Sequence, residues 1–122
     1  MQDYKKLDIF QKTRQLNLEI YMLTKNFPHS ECFGLISQIR RASISVSSNI
    51  AEGRGRDSDK EFARFLNIAY ASACELECLL ILSSDLNIIA PDRFAELSAK
   101  LDEVKKMIYG LIKRLKADSS NC

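Results

Sequence analysis

The apolar residues of this chain recur with a helical period in four long stretches, which three short breaks at 27–30, 53–57 and 87–91 separate. None of the stretches alternates strictly as a half-buried strand would. The 122 residues include four Gly and two Pro, so the chain has few other places to turn sharply. The pattern predicts a single all-α domain over 1–122, an antiparallel up-down four-helix bundle. Its helices are predicted at about 8–26, 31–53, 58–87 and 91–116, with a frayed tail at 117–122.

Two of the helix starts carry recognisable signals. Ser58, followed three residues later by Glu61, predicts a capping box at the start of the third helix. Pro91 suits the first position of the fourth helix, where a backbone N–H is not needed. Each helix also has an apolar stripe that is expected to face a shared core. The stripes are Ile9, Leu16, Ile20, Leu23 and Phe27; Leu35, Ile36, Ile39, Val46 and Ile50; Phe62, Phe65, Leu66, Ala69, Ala73, Leu76 and Leu80; and Phe94, Leu97, Leu101, Val104, Ile108, Leu111, Ile112 and Leu115.

Two helices have more apolar surface than one core requires. In the first helix, Leu18 and Met22 lie on a different side from the core stripe. The second half of the third helix is apolar nearly all round, because Cys78, Ile81 and Leu82 add to its core face. A helix that is apolar on every side is expected to be buried on every side. We therefore predict that these five residues meet between subunits of a homo-oligomer, and we call them the predicted subunit interface.

Residues with catalytic or metal-ligating spacing are scarce. Cys74 and Cys78 lie four apart on one helix face, but a structural zinc site needs four ligands, and the one histidine, His29, lies in a loop. Nucleophilic catalysis needs a base beside the nucleophile, and His29 has no suitable neighbour. We therefore expect no enzymatic activity, cofactor, metal or small-molecule substrate. The alternative, an active site between subunits, would need Glu52, Glu75 or Cys74 to converge on a pocket.

Three carboxylates lie near apolar or helix-terminal positions. Glu75 and Glu77 interrupt an apolar stretch of the third helix, and Glu52 ends the second. A buried carboxylate needs a cation or several hydrogen-bond donors, and Arg40 and Arg41 are candidate partners. We favour an interhelical network of charged pairs, and a ligand site is the alternative.

The termini and the apolar runs bear on location. The N-terminus lacks the apolar stretch of a signal peptide, and the longest uninterrupted apolar run, 78–82, is too short to span a bilayer. We expect a cytoplasmic protein that does not engage a membrane and whose four cysteines remain thiols.

The basic residues form two groups, of which the first surrounds the second break. Arg54, Arg56, Lys60 and Arg64 lie there, and we call them the basic turn. The stretch 53–56 lacks both the G-x-x-x-x-G-K-[ST] spacing and the preceding strand of a phosphate-binding loop. Contact with a phosphate backbone and a solvated loop are both open interpretations of the basic turn.

The second group lies on the fourth helix, where 105–116 hold five basic residues and no acidic one. Lys105, Lys106, Lys113 and Lys116 fall within an arc of about 100° that is clear of the apolar arc, and we call them the lysine stripe. Such lysines are often merely solvated, but a ring of subunits would multiply the patch. We identify no aromatic residue among them, so we predict salt-sensitive binding to a nucleic-acid backbone without base stacking.

Several short motifs follow one another through the chain. The stretch 33–42 reads Phe-Gly-Leu-Ile-Ser-Gln-Ile-Arg-Arg-Ala, and 49–53 reads Asn-Ile-Ala-Glu-Gly. Further motifs are Glu-Phe at 61–62, Phe-Leu-Asn-Ile-Ala at 65–69, Ser72 and Glu-Leu-Glu at 75–77. With these motifs, the chain resembles the 23S rRNA-intervening sequence protein family over nearly its whole length. One departure is Tyr70, where the family often has Arg or Lys, so one positive charge is missing. The motif residues expected to have structural roles are Gln38, Arg40, Arg41, Asn49, Glu52, Gly53, Glu61, Glu75 and Glu77.

The resemblance implies a four-helix bundle that forms a ring-shaped homopentamer. The family's genes often lie within insertions of bacterial 23S rRNA genes, and their role there is not established. A similar fold serves as the accessory variability protein of diversity-generating retroelements, a basic pentameric barrel that binds nucleic acid and the reverse transcriptase. We therefore expect a non-enzymatic homo-oligomer that binds RNA or a ribonucleoprotein. The alternative is a scaffold for other proteins that binds no nucleic acid.

Overall fold

The computed structural model describes residues 3–120, and all regular structure in that range is helical. The four long helices are α1 (Asp8–Thr24), α2 (Ser37–Arg54), α3 (Asp59–Asp85) and α4 (Pro91–Ser120). Short 3-10 turns lie at Tyr4–Lys6 and His29–Glu31, and a π-helical turn at Cys32–Ile36 leads into α2. The prediction of an all-α chain with four helices is confirmed.

Two helix boundaries differ from the sequence-based prediction by more than two residues. Gly34, with φ −108° and ψ −108°, interrupts regular helical geometry within the π-helical turn, so α2 begins at Ser37 rather than near residue 31. At the other end of the chain, α4 continues to Ser120, four residues beyond the predicted end at 116, and the fraying of this segment stays a prediction. The physical reason is that no Gly or Pro follows Gly110 to end the helix. Cys122 lies outside the described residues.

The core lies where four helices meet: α2 contacts α1 and α3, and α4 contacts α3 and α1. All but three of the predicted core residues are buried. The exceptions, Leu23, Phe94 and Leu111, are partly buried and pack against the same core. The helical period of the sequence therefore located the core correctly.

The end of α2 approaches α3 closely. A Cβ atom at Gly53 would lie 2.7 Å from Phe65 Cβ and 3.0 Å from Phe62 Cδ1, closer than such atoms normally come. Glycine is needed here because it has no Cβ. Farther along the two helices, the hydroxyls of Ser45 and Ser72 share a hydrogen bond of 2.8 Å. Small side chains thus allow the α2–α3 contact at both places.

Arg40 of α2 fixes the end of α1. Its Nε donates to Thr24 Oγ1 at 2.8 Å, and its Nη2 donates to the Tyr21 carbonyl at 3.4 Å. The guanidinium also lies 4.5 Å from the centre of the Tyr21 ring. A cation is favoured at the carbonyl end of a helix. The expectation that Arg40 pairs with a carboxylate is therefore wrong, because α1 occupies the guanidinium.

By length and composition alone, α3 could cross a bilayer, with a mean hydropathy of 1.6 over an 18-residue window. The central helix of a bundle meets the same criterion. Nine α3 residues, from Phe62 to Ser83, are buried within the chain. The core therefore accounts for one side of the apolar surface of α3.

Candidate nucleic-acid interface

Two arginines of the basic turn, Arg56 and Arg64, are paired within the chain. Arg56 Nη2 donates to Glu52 Oε1 at 3.0 Å, and Arg64 Nε donates to Glu61 Oε2 at 3.0 Å. The hydrogen bond between Arg64 and Glu61 lowers the pKa of the carboxyl and raises the pKa of the guanidinium. Both pairs join residues within about one helical turn of each other on the chain.

All three arginines of the basic turn also stack on phenylalanines of α3. The guanidinium carbons of Arg56 and Arg64 lie 4.8 Å and 4.5 Å from the centre of the Phe65 ring. Arg54 lies 5.4 Å from the centre of the Phe62 ring. A cation over an aromatic face is attracted by the ring and shields it from water. The arginines therefore cover the end of the bundle core, a role that the sequence analysis missed.

Other members of the basic turn differ from one another. Lys60 is exposed and makes no ion pair among residues 3–120. Arg54 Nε is buried and has no hydrogen-bond partner in the same range. One half of the predicted capping box is present, since Ser58 Oγ accepts from the Glu61 N–H at 3.1 Å, whereas the Glu61 carboxylate pairs with Arg64. Of the four cations in the basic turn, Lys60 is thus the one most available to a ligand.

The carboxylates of α3 pair with neighbouring helices. Arg41 of α2 pairs with Glu75, and the same guanidinium donates to Gln38 Oε1 at 2.9 Å. Glu77 accepts from Lys105 Nζ of α4 at 3.1 Å. The predicted interhelical pairing is confirmed for Arg41 with Glu75, whereas Glu77 pairs with a lysine that the sequence analysis had assigned to the surface.

The remaining motif residues also have visible packing roles. Asn49 Nδ2 donates to the Ser45 carbonyl at 2.8 Å, one turn earlier on α2. Glu52 holds Arg56, and Gly53 permits the close approach of α2 to α3. These contacts explain the motif residues on the second half of α2 without a ligand.

Thiols and carboxylates do not gather in the described part of the chain. Within 3–120, no three residues of the types His, Cys, Asp and Glu are placed to hold a metal ion. Cys74 is half-buried, and Cys32 and Cys78 are exposed. Glu52 and Glu75, which an active site between subunits would use, are each paired with an arginine.

Lys105 does not lie on the solvent face predicted for the lysine stripe. Its side chain is 15% exposed and turned toward α3, where it pairs with Glu77. The hydrogen bond to that carboxylate raises the pKa of Lys105, although partial burial opposes the shift. The sequence-based placement was wrong because Lys105 lies at the edge of its arc, next to the helix that α4 packs against.

The other lysines of the stripe are on the surface. Lys106 is exposed and pairs with Asp102 at 3.2 Å, one turn earlier on α4. Lys113 and Lys116 are exposed. Among residues 3–120, no acidic side chain pairs with Lys113. The stripe therefore offers cations to solvent along the second half of α4.

Aromatic rings lie among these lysines, contrary to the sequence-based expectation. Tyr109 is 53% exposed, and its ring centre lies 6.1 Å from that of Tyr70 on α3. Lys113 Nζ lies 5.5 Å from the centre of the Tyr109 ring, and Lys105 Nζ lies 5.7 Å from the centre of the Tyr70 ring. The spacing 105–109–113 could have revealed Tyr109, because residues four apart share a helix face.

The predicted subunit interface is accessible in the single chain. Leu18 and Met22 are 63% and 59% exposed, and Cys78, Ile81 and Leu82 are exposed on α3. These residues form two apolar surfaces outside the core, one on α1 and one on α3. Contact between subunits stays a prediction.

Comparisons with known proteins bear on this geometry. A solved structure from Bacteroides thetaiotaomicron, described as a protein with unknown function from the S23 ribosomal protein family, is similar with a TM-score of 0.78 and 26% sequence identity. The similarity covers 86% of this chain and 98% of that chain. No curated protein matches the chain. The model of the 23S rRNA-intervening sequence protein family matches residues 5–110, so the chain belongs to that family.

Proposed function

We propose that the protein is a non-enzymatic homo-oligomer that binds RNA or a ribonucleoprotein in the bacterial cytoplasm, in association with ribosomes. The observation that carries the proposal is the exposed part of the lysine stripe on α4. The proposal includes an antiparallel up-down topology and a ring-like pentamer.

The surroundings of the lysine stripe support binding to a phosphate backbone. Lys113 has no ion pair among the described residues, and Lys106 has an exposed partner on its own helix. An exposed pair of this kind contributes little free energy in water, so a phosphate can replace it at small cost. Cations in this state release counterions from RNA when they bind it, which is the main source of non-specific affinity.

Contacts between neighbouring helices support the up-down topology. Arg41 pairs with Glu75 and Ser45 with Ser72, so residue numbers rise on α2 as they fall on α3. The same reversed order relates α1 and α4, in the pairs Lys12–Glu103 and Glu19–Lys100.

The predicted subunit interface supports assembly. Side chains such as Leu18 and Met22 leave apolar area in water that a second copy would cover, at about 25 cal/mol per Å². A surface on α1 that meets a different surface on α3 is a heterologous contact, and such contacts form a ring when the rotation from one subunit to the next closes. The number of five subunits comes from the family resemblance.

The RNA-binding part is tested with a variant in which Lys106, Lys113 and Lys116 are replaced by Gln. Binding to RNA is measured over a range of salt concentrations. We expect the variant to bind more weakly, with a salt dependence smaller by about 2 to 3 in the log–log slope. The matched control is Arg56→Gln, which removes a charge from a paired arginine. An unchanged slope would exclude the lysine stripe, and a wild-type protein that binds no RNA would overturn the proposal.

The assembly is tested by size-exclusion chromatography with light scattering. We expect the wild type to have the mass of a pentamer and Leu18→Glu to dissociate toward monomers. Phe33→Glu is the matched control, because Phe33 is 96% exposed and lies outside the predicted subunit interface. A monomeric wild type would contradict the ring.

The alternative, a protein scaffold, is favoured by the exposed apolar side chains beyond that interface, such as Phe33 and Leu86. Pull-down from bacterial lysate with and without nuclease separates the two functions. A protein partner that survives nuclease treatment supports the scaffold, and partners that are lost with the RNA support the ribonucleoprotein.

A further inference from the structure

Two tyrosines lie side by side on the outer surface where α3 and α4 meet. The ring centres of Tyr70 and Tyr109 are 6.1 Å apart, and the ring planes are inclined by 48°. We propose that these rings form a platform on which bases of single-stranded RNA stack while Lys113 contacts a neighbouring phosphate. The inference rests on the proposed RNA binding and specifies the class of RNA. We call Tyr70, Tyr109, Lys105 and Lys113 the tyrosine platform.

Exposure makes the platform accessible. Tyr109 is 53% exposed, and Tyr70 is partly buried against the core. Tyr70 is therefore held in place by packing, and Tyr109 stands beside it with about half of its surface in water. A rigid aromatic side chain loses little conformational entropy when a flat partner stacks on it. The two rings thus combine a fixed member and an accessible member.

Each ring has its own lysine. Lys105 Nζ lies 5.7 Å from the Tyr70 ring centre, and Lys113 Nζ lies 5.5 Å from the Tyr109 ring centre. Lys105 is held by Glu77 at 3.1 Å, so it is a positioning residue that fixes Tyr70. Lys113 has no ion pair among residues 3–120 and can bind a phosphate. Aromatic rings beside such a cation are the combination that single-stranded nucleic-acid sites use.

The platform selects unpaired bases for a geometric reason. In a duplex, each base is already stacked between its neighbours, and its faces are inaccessible to a side chain. Sequence-tolerant stacking on Tyr therefore requires bases that have left the stack, as in single strands, loops and bulges. Lys106, which pairs with Asp102 on its own helix, would contact phosphates of single and double strands alike. The tyrosines thus add a preference that the lysine stripe alone does not provide.

The experiment uses the full chain and two probes, a fluorescein-labelled oligo(A) RNA strand and an RNA duplex of equal length, in an anisotropy titration. We expect Tyr109→Ala to bind the single strand about tenfold more weakly, as loss of one stacked base implies, with unchanged affinity for the duplex. The salt dependence should stay at the wild-type value because no cation is removed. Tyr109→Phe keeps the ring and should bind like the wild type.

Two controls keep the test specific. Phe33→Ala removes a ring that is 96% exposed and lies outside the platform, and it should leave both affinities unchanged. The chain has four Tyr and no Trp, so its intrinsic fluorescence comes from tyrosine. Single-stranded RNA should quench this emission in the wild type and quench it less in Tyr109→Ala. Circular dichroism establishes that each variant is folded.

The outcomes separate this inference from the proposed function. Equal affinity of wild type and Tyr109→Ala for the single strand would overturn the platform and leave the lysine stripe standing, provided that the lysine variant still binds more weakly. An equal loss of affinity for single strand and duplex would also overturn it. A wild type that binds neither probe would overturn both proposals.

Discussion

The basic turn and the lysine stripe carry the same charge in different surroundings. In the basic turn, Arg56 and Arg64 each pair with a glutamate and both stack on Phe65. On α4, Lys113 is exposed beside Tyr109 and has no acidic partner among the described residues. A cation that already has a carboxylate and a ring gains little from a phosphate, because it must give up those contacts first. The comparison of the two regions therefore indicates that a cation's existing contacts within the chain, rather than its charge alone, determine whether it can bind a ligand.

The difference between the two regions also follows from how closely the helices pack around each of them. The basic turn lies where α2 and α3 come so close that Gly53 has no room for a Cβ. Its arginines are needed there because the rings of Phe62 and Phe65 would otherwise face water. The exposed members of the lysine stripe, Lys106, Lys113 and Lys116, lie on a regular helix face, where their side chains reach solvent. Packing thus assigns the first region to stability and leaves the second available for binding.

The largest effect is expected from Gly53→Ala, which tests whether the basic turn is structural. The added Cβ would lie 2.7 Å from Phe65 Cβ, and the overpacking should destabilise the fold by about 2 kcal/mol. Gly110→Ala is the matched control, since a Cβ there meets nothing within 4 Å. That control should stabilise α4 by about 0.5–1 kcal/mol. Urea unfolding measures both, and an unperturbed Gly53→Ala would show that the close approach is not required.

Lys105→Met tests the one member of the lysine stripe that behaves like the basic turn. Loss of the pair with Glu77 should cost about 1–2 kcal/mol at neutral pH. The pKa of Lys105 is raised above its usual 10.5, so the stabilisation is fully present below that pH and is lost as the pH rises through the higher folded value. Urea unfolding at neutral pH and above pH 10.5 should therefore show a difference from the wild type that shrinks on the alkaline side. A difference that grows there would contradict the ion pair.

A direct comparison of the regions pairs Arg56→Gln with Lys113→Gln. The arginine variant should lose roughly 1 kcal/mol of stability, from its ring contact and ion pair, and keep its RNA affinity. The lysine variant should keep its stability and lose about 0.7 from the salt slope for single-stranded RNA. Thermal unfolding and anisotropy titrations measure the two properties. The reverse pattern would exchange the roles assigned to the two regions.

The smallest effect is expected from Glu61→Gln, at acid pH. Because Arg64 lowers the pKa of Glu61 below its usual 4.5, the contribution of this exposed carboxylate is present above that pH and is lost as the pH falls through the lower folded value. The wild type and the variant should therefore differ slightly near neutrality and converge in acid. Thermal unfolding across this range measures the difference, and a gap that widens in acid would argue against the Arg64 contact.

Burial of the core residues depends on the helical period and was predicted from the sequence. Contacts between side chains of different helices were not. Residues such as Ile39 and Leu76 repeat with the helix and are buried as expected. Arg40 carries no signal that it would bind the end of α1, because Thr24 and Tyr21 lie in a different helix. That contact depends on which helices pack together, and a helical wheel shows only one helix at a time.

The candidate site was predicted in part. The position of Lys113 on an outer face of α4 follows from the wheel, and the structure places this residue there. Tyr109 belongs to the same face by spacing, but its contact with Tyr70 joins two helices and needs the fold. The sequence analysis noted only a missing positive charge at Tyr70, whereas the structure places the ring of Tyr70 beside that of Tyr109.

The unequal lengths of the helices have a consequence for how this protein can evolve. α1 begins one turn before Lys12, which pairs with Glu103, and α4 continues from there to Ser120, about 25 Å farther at ~1.5 Å per residue. The family match ends at residue 110. The last turns of α4 must therefore remain compatible with α3 but not with α1. Substitutions in these last turns of α4 therefore meet fewer packing constraints than substitutions in the part of α4 that also faces α1.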